Sequence, residues 1–575
     1  MTDRQIDGLS DSRTVEKLVA HKDEWARLPI ARRIRYLEEL RSRTDEVSQR
    51  WVDAAVKAKR IPSDSPLVGE EWISGPWALL KGLNVLISTL EKIENGKPVV
   101  STDSVRTASN GQIIVDVFPT TLFDRLLLSG FSAEVWMRPG VTRENLADRI
   151  ASFYREESPA GKVALVLGAG NIASIAPLDV LYKMFAEGMV CVLKMNPVND
   201  YLGKFFEEIF SSMVSAGFIG FGYGGADVGA YLVAHEGVDE VHVTGDYRTY
   251  NAIVFGTGAE GEKRRQRDDP VTTKRVTAEL GNISPTIIVP GPWSDADIAY
   301  QAEHVVTQKQ HNGGFNCVGA QVLVLPEQWD RSNDFVAAVR RTMKRIPPRE
   351  PYYPGAAERQ SAAIAAHPEA ELLDGASGGV SRALITGLDA TNNDEYCFTH
   401  EFFSNVLSVT TLPGKTAAEF LQSAVRFANG NLWGTLGANI IIHPKTIKEL
   451  GPKLDDAIAE LRYGCIGINA WIGVGFLLAE TSWGAYPGHT RTDVRSGIGV
   501  AHNSLFFDEP EKSVVRQPFY PFPRNLMHGE LHLSPKPPWF VTNKQAHAVG
   551  RRISRFEARP GWKHLPGIFL AALRG

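Results

Sequence analysis

The stretch GKVALVLGAGNIASIAPLDVLYKMFAEGMVCVLKMNP at residues 161–197 sets the reading of the chain. A short apolar run ends in a Gly-rich turn, a helical segment follows, and a second apolar run closes the unit. This is a strand, a turn, a helix and a strand. Strands that are apolar throughout, rather than alternating, belong to sheets covered on both faces. A further helical stretch at 201–217 and the strand-like VDEVHVTG at 238–245 continue the alternation, which predicts a parallel sheet with helices on its faces.

Downstream, a second α/β set begins at VTAELGNISPTIIV (276–289). It continues through AQVLVLP (320–326), SNVLSVTTL (404–412), GANIIIHP (437–444) and GCIGINAWIG (464–473). Two α/β domains are therefore expected, in keeping with a length of 575 residues, since single cores stop growing at roughly 250–300 residues. Upstream, residues 12–60 carry apolar positions at helical spacing among Arg, Glu and Lys, the pattern of amphipathic covering helices. FSAEVWMRPG (131–140) and the segment near 488–505 read as strands outside both domains. The end of the chain, HLPGIFLAALRG (564–575), reads as a short amphipathic helix in a packing tail.

Composition narrows the function classes. With 62 basic against 66 acidic residues and a net charge of -4, the chain has no electrostatic footprint for nucleic acid or an anionic membrane. The basic run at 263–267 meets Asp268 and Asp269 at once and is expected to be a solvated loop. The four cysteines are scattered, without a CxxC pair, which fits a reducing compartment. The polar N-terminus has no apolar signal core, and no run reaches the ~18 apolar residues of a bilayer span. The cytoplasm is the expected location. No HxxxH, HExxH or Asp-rich loop suggests a metal.

Three local features can carry chemistry. In HNGGFNCVGAQVLVL (311–325), Cys317 follows two glycines and an Asn and leads into an apolar strand. Glycines allow close substrate approach, and nearby backbone N–H groups can hold an oxyanion. A single Cys is nonetheless more often an inert core residue. In TAELGNISP, Glu279 lies among small and apolar neighbours, where burial can raise its pKa toward the range of a general base. A lone Glu is usually only a solvated charge. GAGN (168–171) is a Gly-rich turn ending in the amide of Asn171, weak evidence by itself.

Taken together, and in order, these elements resemble the aldehyde dehydrogenase superfamily over roughly residues 130–510. AELGNISP is similar to the family's E-L-G-G-K-S-P, with Asn282 and Ile283 replacing Gly and Lys. GFNC resembles G-[QE]-x-C, with Phe315 in place of the polar residue. VLKMNP resembles VLKPSE, HVTGDY resembles FTGS, and HEFFSNVLSV resembles EEIFGPVLSV. The resemblance implies a Rossmann-like dinucleotide-binding domain, a second α/β catalytic domain and a small β oligomerisation arm. The expected boundaries are 1–130 with 159–278 for the N-terminal helices and cofactor domain, and 279–485 for the catalytic domain. The arm is expected at 131–158 with 486–512, and a C-terminal extension at 513–575.

It further implies Cys317 as the nucleophile, Glu279 as the base that activates water, and Asn171 as an oxyanion donor. Lys194 would meet the adenosine ribose of the cofactor, Gly245 its pyrophosphate, and Glu401 and Phe403 its nicotinamide ribose and ring. Trp471, Phe476 and Trp483 fall in the stretch that shapes the family's aldehyde tunnel, which would suit an apolar or aromatic aldehyde. Three departures fall in the cofactor site. Pro197 replaces the ribose-binding Glu, which leaves both NAD and NADP open. Asp246 brings negative charge toward a pyrophosphate, and Tyr250 replaces a helix-start Gly. The expected activity is oxidation of an aldehyde to a carboxylic acid through a thioester, by a homodimer or homotetramer. An acyl-CoA reductase in which CoA takes the thioester is the alternative among enzymes, and a catalytically silent structural member is the alternative outside them.

Overall fold

The computed structural model describes residues 3–373 and 381–575. Two sheets organise them. The smaller has six strands, in the order Gly497–Ile498, Arg275–Leu280, Glu240–Gly245, Val163–Leu167, Val190–Lys194, Ile219–Gly222. All pair in parallel except the short first strand. The 161–197 unit thus forms as its apolar pattern predicts, and Val163, Ala164, Leu165 and Val166 are completely buried. Strand Val163–Leu167 lies between Val190–Lys194 and Glu240–Gly245. The chain therefore leaves it toward one side and returns on the other, the switch point at which open α/β sheets bind ligands beyond their carboxyl ends.

The larger sheet has eleven strands. Its parallel middle holds Ser284–Ile288 between Ala320–Pro326 and Gly437–Ile441, followed outward by Cys465–Ile468 and Pro510–Arg516. Ser132–Met137, expected to lie outside both domains, pairs antiparallel with Pro510–Arg516 and so extends this sheet. The boundary near residue 279 also has a structural detail. Glu279 belongs to the last long strand of the smaller sheet, and the chain enters the parallel middle of the larger at Ser284, four residues after Leu280.

Helix Asp3–Ala26 covers the smaller sheet, and Ile30–Ala58 packs on helices Ala78–Glu94 and Gly203–Ile209. The second buries Leu37, Leu40, Val47, Trp51 and Ala55, a helical stripe that accounts for its mixed sequence. The Trp25 indole N–H donates to the Met184 carbonyl at 3.1 Å, tying the first helix to the connection that closes the βαβ unit. At the other end of the chain, helix Ala546–Ala558 packs against Val68–Trp72, and Phe556 meets Phe123 edge to face. The tail thus packs as expected. The basic run at 263–267 is the exposed end of helix Gly258–Arg267 rather than a loop, because Arg264 reaches Asp269 and Arg265 reaches Glu262. Among the described residues, no helix is long and apolar enough to cross a membrane.

Candidate active site

Two cavities meet at Cys317. One is a cleft enclosing about 1310 Å³ at the carboxyl ends of the smaller sheet's strands. It is lined by Ala169–Asn171, Asn196, Thr244–Arg248, Glu279 and Gly281, and faced by Arg359, Glu401 and Phe403. The other is a pocket of about 560 Å³ with mostly apolar walls, lined by Trp471, Phe476 and Trp483 among others. Cys317 and Glu279 line both.

The thiol is presented by a tight turn. Asn312, Gly313 and Gly314 have φ of 55°, 67° and 81°, left-handed values that two glycines and an Asn adopt at low cost. Strand Ala320–Pro326, completely or nearly completely buried, then anchors the turn in the larger sheet. Cys317 is partly exposed, and its Sγ lies 3.3 Å from Glu279 Oε1, which also accepts the Trp483 indole N–H at 3.3 Å. Glu279 is 3% exposed, and burial pushes its pKa up to about 7, with Asp179 adding to the rise. Burial, then the carboxyls of Glu279 and Glu401, hold the Cys317 thiol well above its usual range. In this resting arrangement the sulfur is a protonated donor with a base beside it.

Asn171 faces the cleft next to Cys317, and one of its amide hydrogens is given to the Phe315 carbonyl at 3.0 Å. The amide carries a second hydrogen for another acceptor. Its backbone is clamped from behind. Lys59 Nζ donates to the Asn171 carbonyl at 3.0 Å, to Asn312 Oδ1 at 3.1 Å and to Glu71 at 2.9 Å. The Tyr352 hydroxyl reaches the same two oxygens at 3.0 Å. Lys59 and Glu71 come from the N-terminal helical region and are almost completely buried. No sequence motif marks them; their only signal is charge within a helical pattern.

The cofactor-side residues are placed as follows. Gly245 ends its strand with open space where a Cβ would project, at the start of helix Tyr247–Phe255. Asp246 caps that helix and is held by Arg248, whose Nε and Nη2 both lie 2.8 Å from its carboxylate. Its charge, unfavourable on sequence grounds, is thereby compensated. Tyr250 turns into the core beside Val243 and Val254 and leaves the cleft clear. Glu401 accepts the Asn282 N–H at 3.1 Å, and burial raises its pKa to about 8. Gly281 permits this approach, because a Cβ there would fall 1.9 Å from Glu401 Oε2. Phe403 takes φ 42° and lines the cleft beside Tyr353.

Lys194 is not brought to the cleft with the others; Asn196, two residues on, lines it instead. Lys194 is 7% exposed, and burial lowers its pKa against the opposing pull of Asp227, Asp200 and Asp11. The substituted motif positions have structural work: Asn282 donates to Ser284 and to the Gly437 carbonyl, each at 2.9 Å, and Phe315 packs with Tyr352, Tyr353 and Phe403. An elongated, two-faced cleft with an open glycine at a helix start, a charge-compensated cap and two carboxyl-end loops suits a dinucleotide.

Sequence reasoning missed Asp179 and His502, which also line the apolar pocket. A lone acidic residue inside the apolar run IAPLDVL was the available signal. Among the described residues, one group could offer three ligands to a metal: His367, Glu395 and Cys397. It serves as a helix cap, with Glu395 accepting the Cys397 N–H at 2.9 Å and lying 2.7 Å from His367 Nε2.

Comparison with known proteins agrees with this architecture. The NAD-dependent aldehyde dehydrogenase from Sinorhizobium meliloti superposes with a TM-score of 0.59 at 17% identity, over 90% of this chain and 88% of the other. A variant of aldehyde dehydrogenase C from Pseudomonas syringae, solved with NAD+ and octanal, gives 0.59 at 16% identity over 90% of each. The NADP-dependent glyceraldehyde-3-phosphate dehydrogenase from Bacillus halodurans, solved with NADP, gives 0.57 at 16% identity over 88% and 91%. At such identities these likenesses speak for the fold. The model of the aldehyde dehydrogenase family matches residues 130–476, more than half of the sequence, and the chain belongs to that family.

Proposed function

We propose that the protein oxidises an aldehyde to a carboxylic acid with NAD or NADP, using Cys317 as nucleophile, Glu279 as base and Asn171 as oxyanion donor. One observation carries the reading: the Cys317–Glu279 pair, 3.3 Å apart, sits where the polar cleft and the apolar pocket meet. A substrate in the pocket and a dinucleotide in the cleft would both have that sulfur within reach.

Cys317 Sγ bonds to the carbonyl carbon while its proton passes to Glu279, the acceptor 3.3 Å from the sulfur. The carbonyl oxygen becomes an oxyanion held by the Cys317 backbone N–H and the free amide hydrogen of Asn171. Gly245, Glu401 and Phe403 would hold NAD or NADP in the cleft, where the nicotinamide would accept the hydride. With the thioester on Cys317 and the thiol's proton released from Glu279 to solvent, the Glu279 carboxylate takes a proton from water as the water attacks, the acid departs, and the Cys317 thiolate recovers that proton from Glu279. Glu279 favours water over CoA as acyl acceptor, since a thiol needs no such base.

The domain plan expected from the sequence, with an arm at 131–158 and 486–512 through which copies pair, is part of the same proposal.

An assay of reduced nicotinamide over a panel of aldehydes with each dinucleotide tests the reading. Cys317→Ala should be inert, and Glu279→Gln should release one equivalent of reduced cofactor and stall. Equal steady rates in wild type and Glu279→Gln would refute the hydrolytic role, and release of the stall by CoA would favour acyl transfer.

A further inference from the structure

The apolar pocket holds polar groups that the proposed chemistry does not use. His502 is 9% exposed, lines the pocket, and has its ring 4.9 Å from Phe476. Its Nε2 lies 2.8 Å from Asp179 Oδ1, while its buried Nδ1 has no hydrogen-bond partner among the described residues. Which nitrogen carries the proton follows from the hydrogen bonds behind it. The Thr244 hydroxyl donates to Asp179 Oδ2 at 2.9 Å, so its oxygen can only accept from His242 Nε2 at 3.3 Å. Thr277 lies 2.9 Å from His242 Nδ1 and completes the row.

His242 is neutral, since burial brings its pKa down to about 4. Two donors thus converge on Asp179: the Thr244 O–H on one oxygen and the His502 Nε2–H on the other. His502 lines a pocket walled by Ile73, Ile175, Trp471, Phe476, Leu477 and Trp483, and with Nε2–H on Asp179 the Nδ1 of the neutral ring is left as an acceptor without a donor among the described residues. His311 lines the same pocket and is 2% exposed, with both ring nitrogens unpartnered among the described residues. Leaving such atoms unmet carries a desolvation penalty that a donor on the substrate would relieve.

We infer that the pocket selects neutral, largely apolar aldehydes that carry a hydrogen-bond donor, most simply a hydroxyl, which is read by His502 Nδ1. The inference rests on the aldehyde-oxidising reading of Cys317 and names its substrate class. The apolar walls exclude charged bodies, which would lose their hydration without a partner. The acceptor supplies what apolar walls cannot, because a site built to hydrogen-bond a substrate hydroxyl discriminates against the analogue lacking it far better than a hydrophobic slot discriminates on size. Asp179 acts through His502 as a positioning residue.

The test uses the full chain with saturating NAD and matched pairs: benzaldehyde against its three ring-hydroxylated isomers, and hexanal against its terminal hydroxy derivative. At least one hydroxylated member is expected to exceed its parent by roughly tenfold in kcat/KM. His502→Phe, checked for folding by its melting temperature, should bring that ratio to within about twofold. Wild-type enzyme with no preference for any hydroxylated member would overturn the inference, and so would a ratio that persists in folded His502→Phe. Turnover of none of these aldehydes with either dinucleotide would instead bring down the oxidation reading and the inference with it.

Discussion

The cleft and the pocket on either side of Cys317 are built on opposite plans. The cleft is rimmed by backbone loops and by charges that compensate one another, as where Arg248 holds Asp246. The pocket is closed by aromatic and aliphatic side chains, with its few polar atoms confined to buried groups such as Asp179 and His502. A charged ligand suits the first and an apolar one the second. What the contrast teaches is that the chemistry needs neither cavity alone. The Cys317 thiol and the Glu279 carboxyl lie on the seam, where both are pushed toward their neutral forms.

The seam can be broken most completely at the sulfur. Cys317→Ala is expected to lower kcat by about 10⁴-fold or more while dinucleotide binding, followed by fluorescence titration, survives. Next in size is the carboxyl. Glu279→Gln is expected to lower the steady rate by about 10²- to 10⁴-fold and leave the first turnover, read by stopped flow, much less affected. Third is the clamp behind the cleft's oxyanion loop. Lys59→Met leaves buried Glu71 with Arg349 at 3.9 Å and the Asn171 carbonyl with Tyr352 at 3.0 Å, so a loss of about 3 kcal/mol in denaturant unfolding is expected, with a fall in kcat exceeding any change in KM for the dinucleotide.

Proton linkage gives a smaller and more specific effect. The folded pKa of Glu279, about 7, lies above the ordinary value of 4.5. Its stability contribution is therefore fully present below pH 4.5 and is lost as pH rises through about 7, by at most ~3 kcal/mol. The melting temperature of Glu279→Gln relative to wild type should rise between pH 5 and pH 8, and a constant difference would count against a buried, proton-holding Glu279. For the same reason wild-type kcat/KM should climb with pH through about 7, as the carboxylate form becomes available. Smallest is Trp483→Phe, which removes one N–H from Glu279 Oε1 and should move that inflection upward by a fraction of a pH unit.

Much of the fold was legible because its strands are buried on both faces and so read as unbroken apolar runs bounded by glycines. The nucleophile, its neighbouring carboxyl and the amide were legible for a related reason: each sits at a strand end, beside glycines that the close approach of Glu401 or a left-handed turn requires. What escaped were partners brought together only by tertiary packing. Lys59 meets an oxygen 112 residues away, and His502 meets Asp179 across 323. No periodicity links such positions, and nothing local distinguishes a lysine that will be buried from one that stays in water. The pairing of strand 132–137 with 510–516 was not legible either, because a partner so far along the chain leaves no mark on a strand's own pattern. Tyr250 read as an obstacle to the cofactor only because sequence position does not tell which side of a helix start a side chain takes.

The central claim is that Cys317 carries the acyl group between the two cavities. Glu279→Gln mixed with an oxidisable aldehyde and NAD, quenched in acid after one turnover and examined by peptide mass spectrometry, tests it directly. The account predicts the mass of the acyl group on the peptide containing Cys317, in step with one equivalent of reduced nicotinamide. Reduced nicotinamide without an acyl adduct, or an adduct on Cys191, Cys397 or Cys465 instead, would contradict it.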